Sequence, residues 1–577
     1  MIDPTNRNTA LATALVEELA RNGVRRAILS PGSRSSPIAL ALDREPGIEL
    51  TVVLDERSAG FVALGCAVAS GVATVVACTS GSAAANLHPA IVEADQAGVP
   101  LIVLTSDRPP ELRGIGAGQT IDQIGLYGGA VRWFCEAGTH GADDAGLLHM
   151  RALGCRAWGE AIGGRGPVHL NLSWRDPLGP EPAPGEVTAT RDLARDGRPE
   201  GRPLTTPILS RRPNGEIVGA LAGAVARAER GLIVAGRDTA AELPGAVLAL
   251  AEATGFPVLA DPTSGLRLGP GGDAIVGAYD LIARSQPRSL APDLILRFGD
   301  MPTSKPLRAW IEALAVDQIA VDPPGRWNEP TRFAVSLVRA DAVAVAQSLA
   351  GRVESPVADA WGRSWREAEL AAQAAIDGVL ADVAEPTEPG IWRALGEAFA
   401  AGDDVFIGSS MPIRDAEAFL RPRAADVRLY ANRGANGIDG LVSSACGVAL
   451  GGRRPTWLVL GDLALAHDLG GFAAVAATEV ALRIVVIDNG GGGIFDFLPQ
   501  AQQVEAAAFE RLFTTPSGLD LEPAAASFGL RYREIASAAE LSALAAAGTV
   551  LARVAVDRSD NVALHRRIAD AASGALD

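Results

Sequence analysis

The chain has 577 residues, with 68 acidic against 51 basic side chains and a net charge of −17. At roughly 100–200 residues per domain this length predicts three or four domains, and 48% hydrophobic with 21% charged residues is the mix of a globular protein with ample core material. Disordered, collagen-like and coiled-coil chains are excluded, and the acidic balance argues against a general nucleic-acid or anionic-membrane binder, whose phosphate contacts need a basic face.

Short apolar runs alternate with helical patterns along the whole chain, which predicts parallel α/β layers. The N-terminus has no basic segment followed by an apolar one, and Glu17 and Glu18 sit where the apolar part of a signal would be. A helix is expected over 9–22 and strands over 26–29, 50–53, 73–78, 101–104 and 168–172. Ser58 to Val92 carries no Asp, Glu, Lys or Arg. That run is long enough for a membrane span, but Gly65, Ser70, Gly71, Thr74 and Thr79-Ser80-Gly81-Ser82 interrupt it, so a buried helix over 58–70, a turn and a buried strand are expected. The Pro/Gly-rich stretch 177–207 lacks apolar periodicity and reads as a linker.

A second block shows strands over 231–235, 257–259, 293–297 and 318–321. The third opens with a helix over 358–383 and turn signals in Glu385-Pro386-Thr387-Glu388-Pro389-Gly390. Strands follow over 404–407, 428–430, 457–460, 482–487 and 550–556. The expectation is three consecutive parallel-sheet α/β domains, with limits at 1–180, 207–352 and 353–577 and a linker over 181–206. Five scattered cysteines without a CxxC pair read as reduced thiols in a cytoplasmic protein. Of the 51 basic residues, Lys305 is the single lysine.

Ligands of open α/β sheets bind beyond the carboxyl ends of strands, which directs attention to residues just after each predicted strand. The sharpest pattern is GDLALAHDLGGFAAVAATEVALRIVVIDNGGGGIF. One strand ends in Gly461-Asp462, a helix follows, and the next strand ends in Asp488-Asn489 before four glycines. Asp462 and Asn489 can then converge on one hard cation, with a carbonyl from the glycine loop as a further oxygen ligand. Mg²⁺ favours such oxygen sets and commonly shares them with phosphates. The glycines let backbone approach a diphosphate. Taken singly, Gly-Asp and Asn-Gly are ordinary turns; their spacing in a strand–helix–strand setting is what carries the reading.

On these residues the chain resembles the thiamine-diphosphate-dependent enzymes, whose magnesium–diphosphate motif is Gly-Asp-Gly followed some two dozen residues later by Asn-Asn. It departs from that motif at Leu463 and at Asp488. The resemblance implies thiamine diphosphate with Mg²⁺ (or Mn²⁺) as cofactors. It implies Asp462, Asn489 and the Gly491 carbonyl as metal ligands. Ser410, Met411, Gly461, Leu463, Gly492 and Ile494 would lie along the cofactor, with Ile438 propping it in its bent form. Glu56, after a predicted strand in Leu54-Asp55-Glu56-Arg57, would contact the aminopyrimidine N1′ as the catalytic carboxylate. The residue-level alternative is a helix-terminal charge that complements the dipole. In the family's terms 1–180 is the aminopyrimidine-binding domain and 353–577 the diphosphate- and metal-binding domain, and the cofactor is shared between two chains of a homodimer or homotetramer.

The predicted strand ends also carry cations: Arg34, Arg108, Arg414 and Arg433. In a protein of charge −17, several arginines at one ligand edge suggest substrates with more than one carboxylate; the bland reading of any one is a surface ion pair. SPGSRSSP, LDERSAGF, TSGSAAANLHPAIVEA, LTSDRPPELRG, QTIDQ, SSMPIRD, ANRGANGIDG and GGGGIFDFLP resemble the menaquinone-pathway branch of the family over most of the chain. That branch decarboxylates 2-oxoglutarate and adds the resulting succinyl-semialdehyde carbanion to isochorismate.

By this resemblance Ser33, Arg34, Arg108, Gln119, Ser410, Arg414 and Arg433 contact substrate. Ile494, Phe495 and Leu498 form an apolar wall, and Lys305 reaches the isochorismate side. Gly118 stands where members of the branch often have Asn. The nearest alternative is another thiamine carboligase such as acetolactate synthase. A non-catalytic nucleotide-binding protein and a structural oligomer are alternatives of a different class.

Overall fold

The computed structural model describes residues 2–209, 211–323, 327–332, 335–353, 356, 359–384 and 386–576. Its strands form three six-stranded sheets, parallel throughout. The first contains β1 (Arg26–Leu29), β2 (Glu49–Val52), β3 (Thr74–Cys78), β4 (Leu101–Asp107), β5 (Trp133–Gly138) and β6 (Val168–Ser173). The second contains β7 (Gly231–Ala235), β8 (Val258–Ala260), β9 (Ile275–Val276), β10 (Leu294–Phe298), β11 (Asp317–Val321) and β12 (Val335–Val338). The third contains β13 (Asp404–Ile407), β14 (Arg428–Tyr430), β15 (Thr456–Gly461), β16 (Leu482–Asp488), β17 (Arg531–Ile535) and β18 (Val550–Ala555).

The strand orders are β2-β1-β3-β4-β6-β5, β12-β11-β10-β7-β8-β9 and β14-β13-β15-β16-β18-β17. Numbered within each sheet, the first and third share the order 2-1-3-4-6-5, while the second runs 6-5-4-1-2-3. The order therefore reverses between β1 and β3, between β13 and β15, and between β7 and β10, and a ligand crevice is expected at the carboxyl end of each such pair. Central strands such as β3, β4, β6 and β10 are buried along their whole length, as helices on both faces of a parallel sheet require.

The chain divides into two compact units. One comprises the chain up to Leu209 together with Asn432–Arg453 and His467–Val480; the other holds the remainder, including the second and third sheets. In the first unit the helix Glu56–Ser70 packs against Leu441–Gly452. Asp55 starts the former by accepting from the N–H groups of Arg57 (2.8 Å) and Ser58 (3.2 Å). The charge-free run thus becomes a helix, the buried strand β3 and two further helices, and among the described residues no helix is long and apolar enough to cross a membrane.

The predicted inner strands agree with the observed ones to within a residue or two, apart from β4, which runs three residues longer. Four strands were not predicted: β5, β9, β12 and β17. Each lies at the edge of its sheet, and β17, for instance, is exposed at three of its five positions. An edge strand is solvated on one side, so its sequence need not form an apolar run.

The stretch read as a linker is partly ordered against the first unit. It contains the short helix Asp192–Asp196, and the buried Arg151 donates to Ala194 O and Arg195 O at 2.9 Å while pairing with Glu17 (2.8 Å) and Glu18 (3.0 Å). The turn signals before Gly390 open a helix, Glu388–Ala398, capped by Thr387 with Pro389 in its first turn. The predicted first helical residue Ala358, and Glu385, lie outside the described residues; the helix there is Asp359–Ala381.

Candidate active site

In the second unit the sheet order places Ser410 and Met411, after β13, and Gly461 and Asp462, after β15, on the two sides of the reversal, with Asn489 following β16. Ser410 has φ +75°, a region an L-residue occupies only when its surroundings impose it. Its carbonyl accepts from the Arg414 guanidinium one turn on, and burial pulls the Arg414 pKa below its usual value.

Asp462 is 6% exposed, and its Oδ1 is buried without a hydrogen-bond partner. Burial first, and the nearby Asp488 charge second, push its pKa up to about 6. Asn489 Oδ1 is likewise buried and unpartnered, while its Nδ2 donates to Glu388 Oε1 at 2.8 Å. Native structures seldom leave buried acceptors unmatched, so two such oxygens after adjacent strands fit a cation. Asp488, the motif departure that bears on charge, is held by Arg553 Nε (2.6 Å) and the Gly490 N–H (3.1 Å).

The glycine loop is built for backbone proximity. Gly491 has φ +140°, and a Cβ there would lie 2.4 Å from Thr514 O. Beyond it, Ile494, Phe495 and Leu498 are partly exposed apolar groups, with Phe495 packed at 5.6 Å on Phe513. A cleft of about 850 Å³ opens beside this loop, lined by Asp488, Asn489, Gly490, Asp496 and Arg558. Lys305 is exposed at the first position of its helix.

The first unit carries the other half of the predicted residues. Ser33 and Arg34 follow β1, Ser80 follows β3 and Arg108 follows β4. Arg34 donates to Trp174 O (3.0 Å), and its Nε is buried without a partner. Arg108 donates to Ser80 Oγ and to Gln119 O (2.9 Å). Gln119, at φ +55°, returns Nε2 to Ser80 O at 3.0 Å. Desolvation first, and the Arg34 charge next, lower the Arg108 pKa. Asp107 and Asp176, the latter 3.6 Å from Arg34 Nη1, offset part of that repulsion, and a further anion between the two guanidiniums would be stabilised. Ser33 is exposed beside this group. Gly118 faces open space, so packing does not demand glycine where the related branch has Asn.

Glu56 is the first residue of its helix and is partly buried. Because Asp55 satisfies the first turn, the Glu56 carboxylate is not needed as a cap. Its charge reaches the Cys78 thiol at the end of β3, already raised by burial, which places it toward the reversal of the first sheet. Arg433 and Ile438 lie in the segment 432–440 of the same unit. Glu93, buried at 3% exposure, accepts from the Gly434 N–H (2.7 Å) and the Ala435 N–H (2.6 Å). A Cβ on Gly434 would lie 2.6 Å from Glu93 O, so this loop rests directly on the helix His88–Ala97.

Two residues of consequence escaped sequence reasoning. Glu93 closes the segment TSGSAAANLHPAIVEA without a local signal of its partner, which is 341 residues away. Glu388 falls within apparent turn signals, 101 residues before the Asn489 amide it holds. Behind it stands a buried chain. Glu388 Oε2 and Asp415 Oδ2 both lack a hydrogen-bond partner. His565 bridges Asp415 Oδ1 (3.0 Å) and Asn561 O (2.8 Å). Burial above all holds both carboxyls above the ordinary range, with the Asp415 charge adding to it at Glu388 and the Asp280 charge at Asp415.

Comparison with known proteins agrees with this geometry. Residues 9–126 match the thiamine pyrophosphate enzyme N-terminal TPP-binding domain, and residues 216–407 match the thiamine pyrophosphate enzyme middle domain. A protein of Chloroflexus aurantiacus is 43% identical over 582 residues, covering 98% of this chain and 97% of its own length. Relatives from Myxococcus xanthus and Halobacterium salinarum are each 42% identical, covering 98% and 99% of both chains respectively. All three bear the name 2-succinyl-5-enolpyruvyl-6-hydroxy-3-cyclohexene-1-carboxylate synthase. With its three parallel sheets and this near full-length identity, the chain belongs to the thiamine-diphosphate-dependent enzymes and, among them, to the 2-succinyl-5-enolpyruvyl-6-hydroxy-3-cyclohexene-1-carboxylate synthase family.

Proposed function

We propose that the chain decarboxylates 2-oxoglutarate and joins the remaining four-carbon unit to isochorismate by 1,4-addition, giving 2-succinyl-5-enolpyruvyl-6-hydroxy-3-cyclohexene-1-carboxylate and CO₂ on the route to menaquinone or phylloquinone. The observation that carries this reading is the neighbouring pair Arg34 and Arg108 at the strand ends of the first sheet, in a protein of net charge −17. Each substrate is a dicarboxylate, and guanidiniums bind carboxylates with paired hydrogen bonds.

Asp462, Asn489 and the Gly491 carbonyl would hold Mg²⁺ or Mn²⁺, a reading supported by the two buried unmatched oxygens. When bound, thiamine diphosphate supplies the electron sink that lets a 2-oxo acid lose CO₂. Glu56 would hold a proton at the aminopyrimidine N1′. Arg34, Arg108, Arg414, Arg433 and Lys305 would fix substrate carboxylates, with Ser33, Gln119 and Ser410 adding neutral hydrogen bonds. Ile494, Phe495 and Leu498 would keep water away from the reacting carbon, while Met411, Ile438, Gly461, Leu463 and Gly492 border the cofactor.

In this reading 1–180 binds the aminopyrimidine, 181–206 connects, 207–352 is the central domain and 353–577 binds diphosphate and metal. The chain works as a homodimer or homotetramer in the cytoplasm. Its five cysteines, none of them in a disulfide, suit a reducing compartment.

The test supplies metal-free apoprotein with thiamine diphosphate, Mg²⁺ and 2-oxoglutarate and follows isochorismate absorbance. Isochorismate should disappear only when all three are present. Decarboxylation of 2-oxoglutarate with isochorismate untouched would mean that the acceptor is wrong.

A further inference from the structure

The geometry points to Glu388 as the positioning residue that sets the orientation of the Asn489 side chain and so turns its oxygen toward the cation; this rests on the metal-ligand reading proposed above. An amide can present either its oxygen or its NH₂ in a given direction, and its hydrogen-bond partners decide which. Glu388 Oε1 accepts from Asn489 Nδ2 at 2.8 Å, and Glu388 is 1% exposed. With the NH₂ claimed by an acceptor, Oδ1 is left on the opposite side, where it is buried and unmatched, as is Asp462 Oδ1 after the neighbouring strand. The reversed amide would set oxygen against oxygen at Glu388 and offer a donor to the cation.

Glu388 is itself constrained. It opens the helix Glu388–Ala398, and besides Asn489 its carboxyl is acted on by Asp415 and by His565, whose Nδ1 is tied to Asn561 O at 2.8 Å and whose Nε2 lies 3.0 Å from Asp415 Oδ1. Asp415 follows Arg414 on the helix Met411–Phe419, which begins immediately after Ser410. One buried chain therefore joins the Asn489 amide to the helix that carries Arg414 and begins after Ser410, two of the predicted substrate contacts. Partners behind the direct ligands of a metal commonly change its affinity by about 10–100-fold when removed.

The experiment measures Mn²⁺ binding to apoprotein in the presence of thiamine diphosphate, by electron paramagnetic resonance, together with the melting temperature of the metal-free protein. Glu388→Met, which keeps bulk but has no acceptor, should weaken Mn²⁺ by about 10–100-fold, whereas Glu388→Gln, which can still accept through Oε1, should stay within about threefold of the parent protein. On an Asn489→Ala background Glu388→Met should cost nothing more, because its effect passes through the amide.

A folded Glu388→Met with unchanged Mn²⁺ affinity overturns the inference, as does full additivity in that cycle. If Glu388→Met does not fold, Asn489→Asp alone should lose affinity and regain it with Glu388→Gln, whose NH₂ restores a donor across the pair; failure to regain it also overturns the inference. Absence of Mn²⁺ binding to the unaltered protein removes the metal-ligand reading itself, and this inference with it, a result distinct from the others.

Discussion

The first and third sheets have the same strand order, yet the residues just beyond their inner strands are opposite in charge and in what they lack. After β1 and β4 stand Arg34 and Arg108, close enough to depress Arg108, with Arg34 Nε lacking an acceptor. After β15 and β16 stand Asp462 and Asn489, whose buried oxygens lack donors. One topology thus leaves an unmatched donor beyond one sheet and unmatched acceptors beyond the other, which is what the proposed anion and cation sites rest on. The strand order positions a crevice; the few side chains just beyond the strands decide its chemistry.

The difference predicts a division of labour that mutation can test. Asp462→Ala should show the largest effect, removing the one carboxylate among the proposed ligands. Mn²⁺-dependent binding of thiamine diphosphate, measured by calorimetry, should weaken by more than the roughly 10–100-fold typical of outer partners. Retention of tight binding would break the comparison on the third-sheet side.

Glu56→Gln, in the first unit, should keep cofactor affinity and lose about 10²–10⁴-fold in exchange of the cofactor C2 proton, followed by NMR. Normal exchange would remove its assigned role. Arg34→Met should leave cofactor binding intact and raise the concentration of 2-oxoglutarate or isochorismate needed for half-maximal rate by roughly 10–100-fold, as expected for a hydrogen bond to a charged group. Lys305→Ala should act more weakly and more selectively, raising the requirement for isochorismate several-fold more than that for 2-oxoglutarate; equal changes would mean that Lys305 is misplaced.

The smallest effect concerns stability and sharpens the contrast between the units. His169 is fully buried beneath the first sheet's strand ends. Its Nε2–H donates to Thr105 Oγ1 (2.7 Å), the hydroxyl of which donates to Asn171 Oδ1 (2.8 Å), and its Nδ1 has no partner. Burial depresses its pKa to about 3. The folded form therefore excludes a proton that the unfolded chain accepts near pH 6.5, the usual His value. The stabilising contribution is complete above about pH 6.5 and is lost as pH falls toward about 3, by up to a few kcal/mol. Denaturant unfolding between pH 7 and 5 should show a slope that His169→Gln reduces.

The inner strands were legible because parallel strands covered on both faces must be continuous apolar runs; β5, β9, β12 and β17 were not, since a sheet edge relaxes that demand. Much of the candidate site was legible for a related reason. Asp462, Asn489, Arg34 and Arg108 each follow an inner strand, so a one-dimensional pattern of apolar run then polar residue marks them. Glu56 follows the edge strand β2; its position was marked in the same way, and its role came from the family resemblance.

By itself, the sequence determined the series of parallel α/β sheets, the family and the residues at the strand ends, because each rests on local patterns a few residues long. Only the tertiary structure decided which oxygens go unmatched, that Glu93 holds the Gly434–Ala435 backbone, that Arg151 orders the supposed linker, and that Glu388 faces Asn489. Those pairings join residues 43 to 342 positions apart. Hydrogen bonding depends on where chain folding brings a donor and an acceptor together, and no periodicity in the sequence records it.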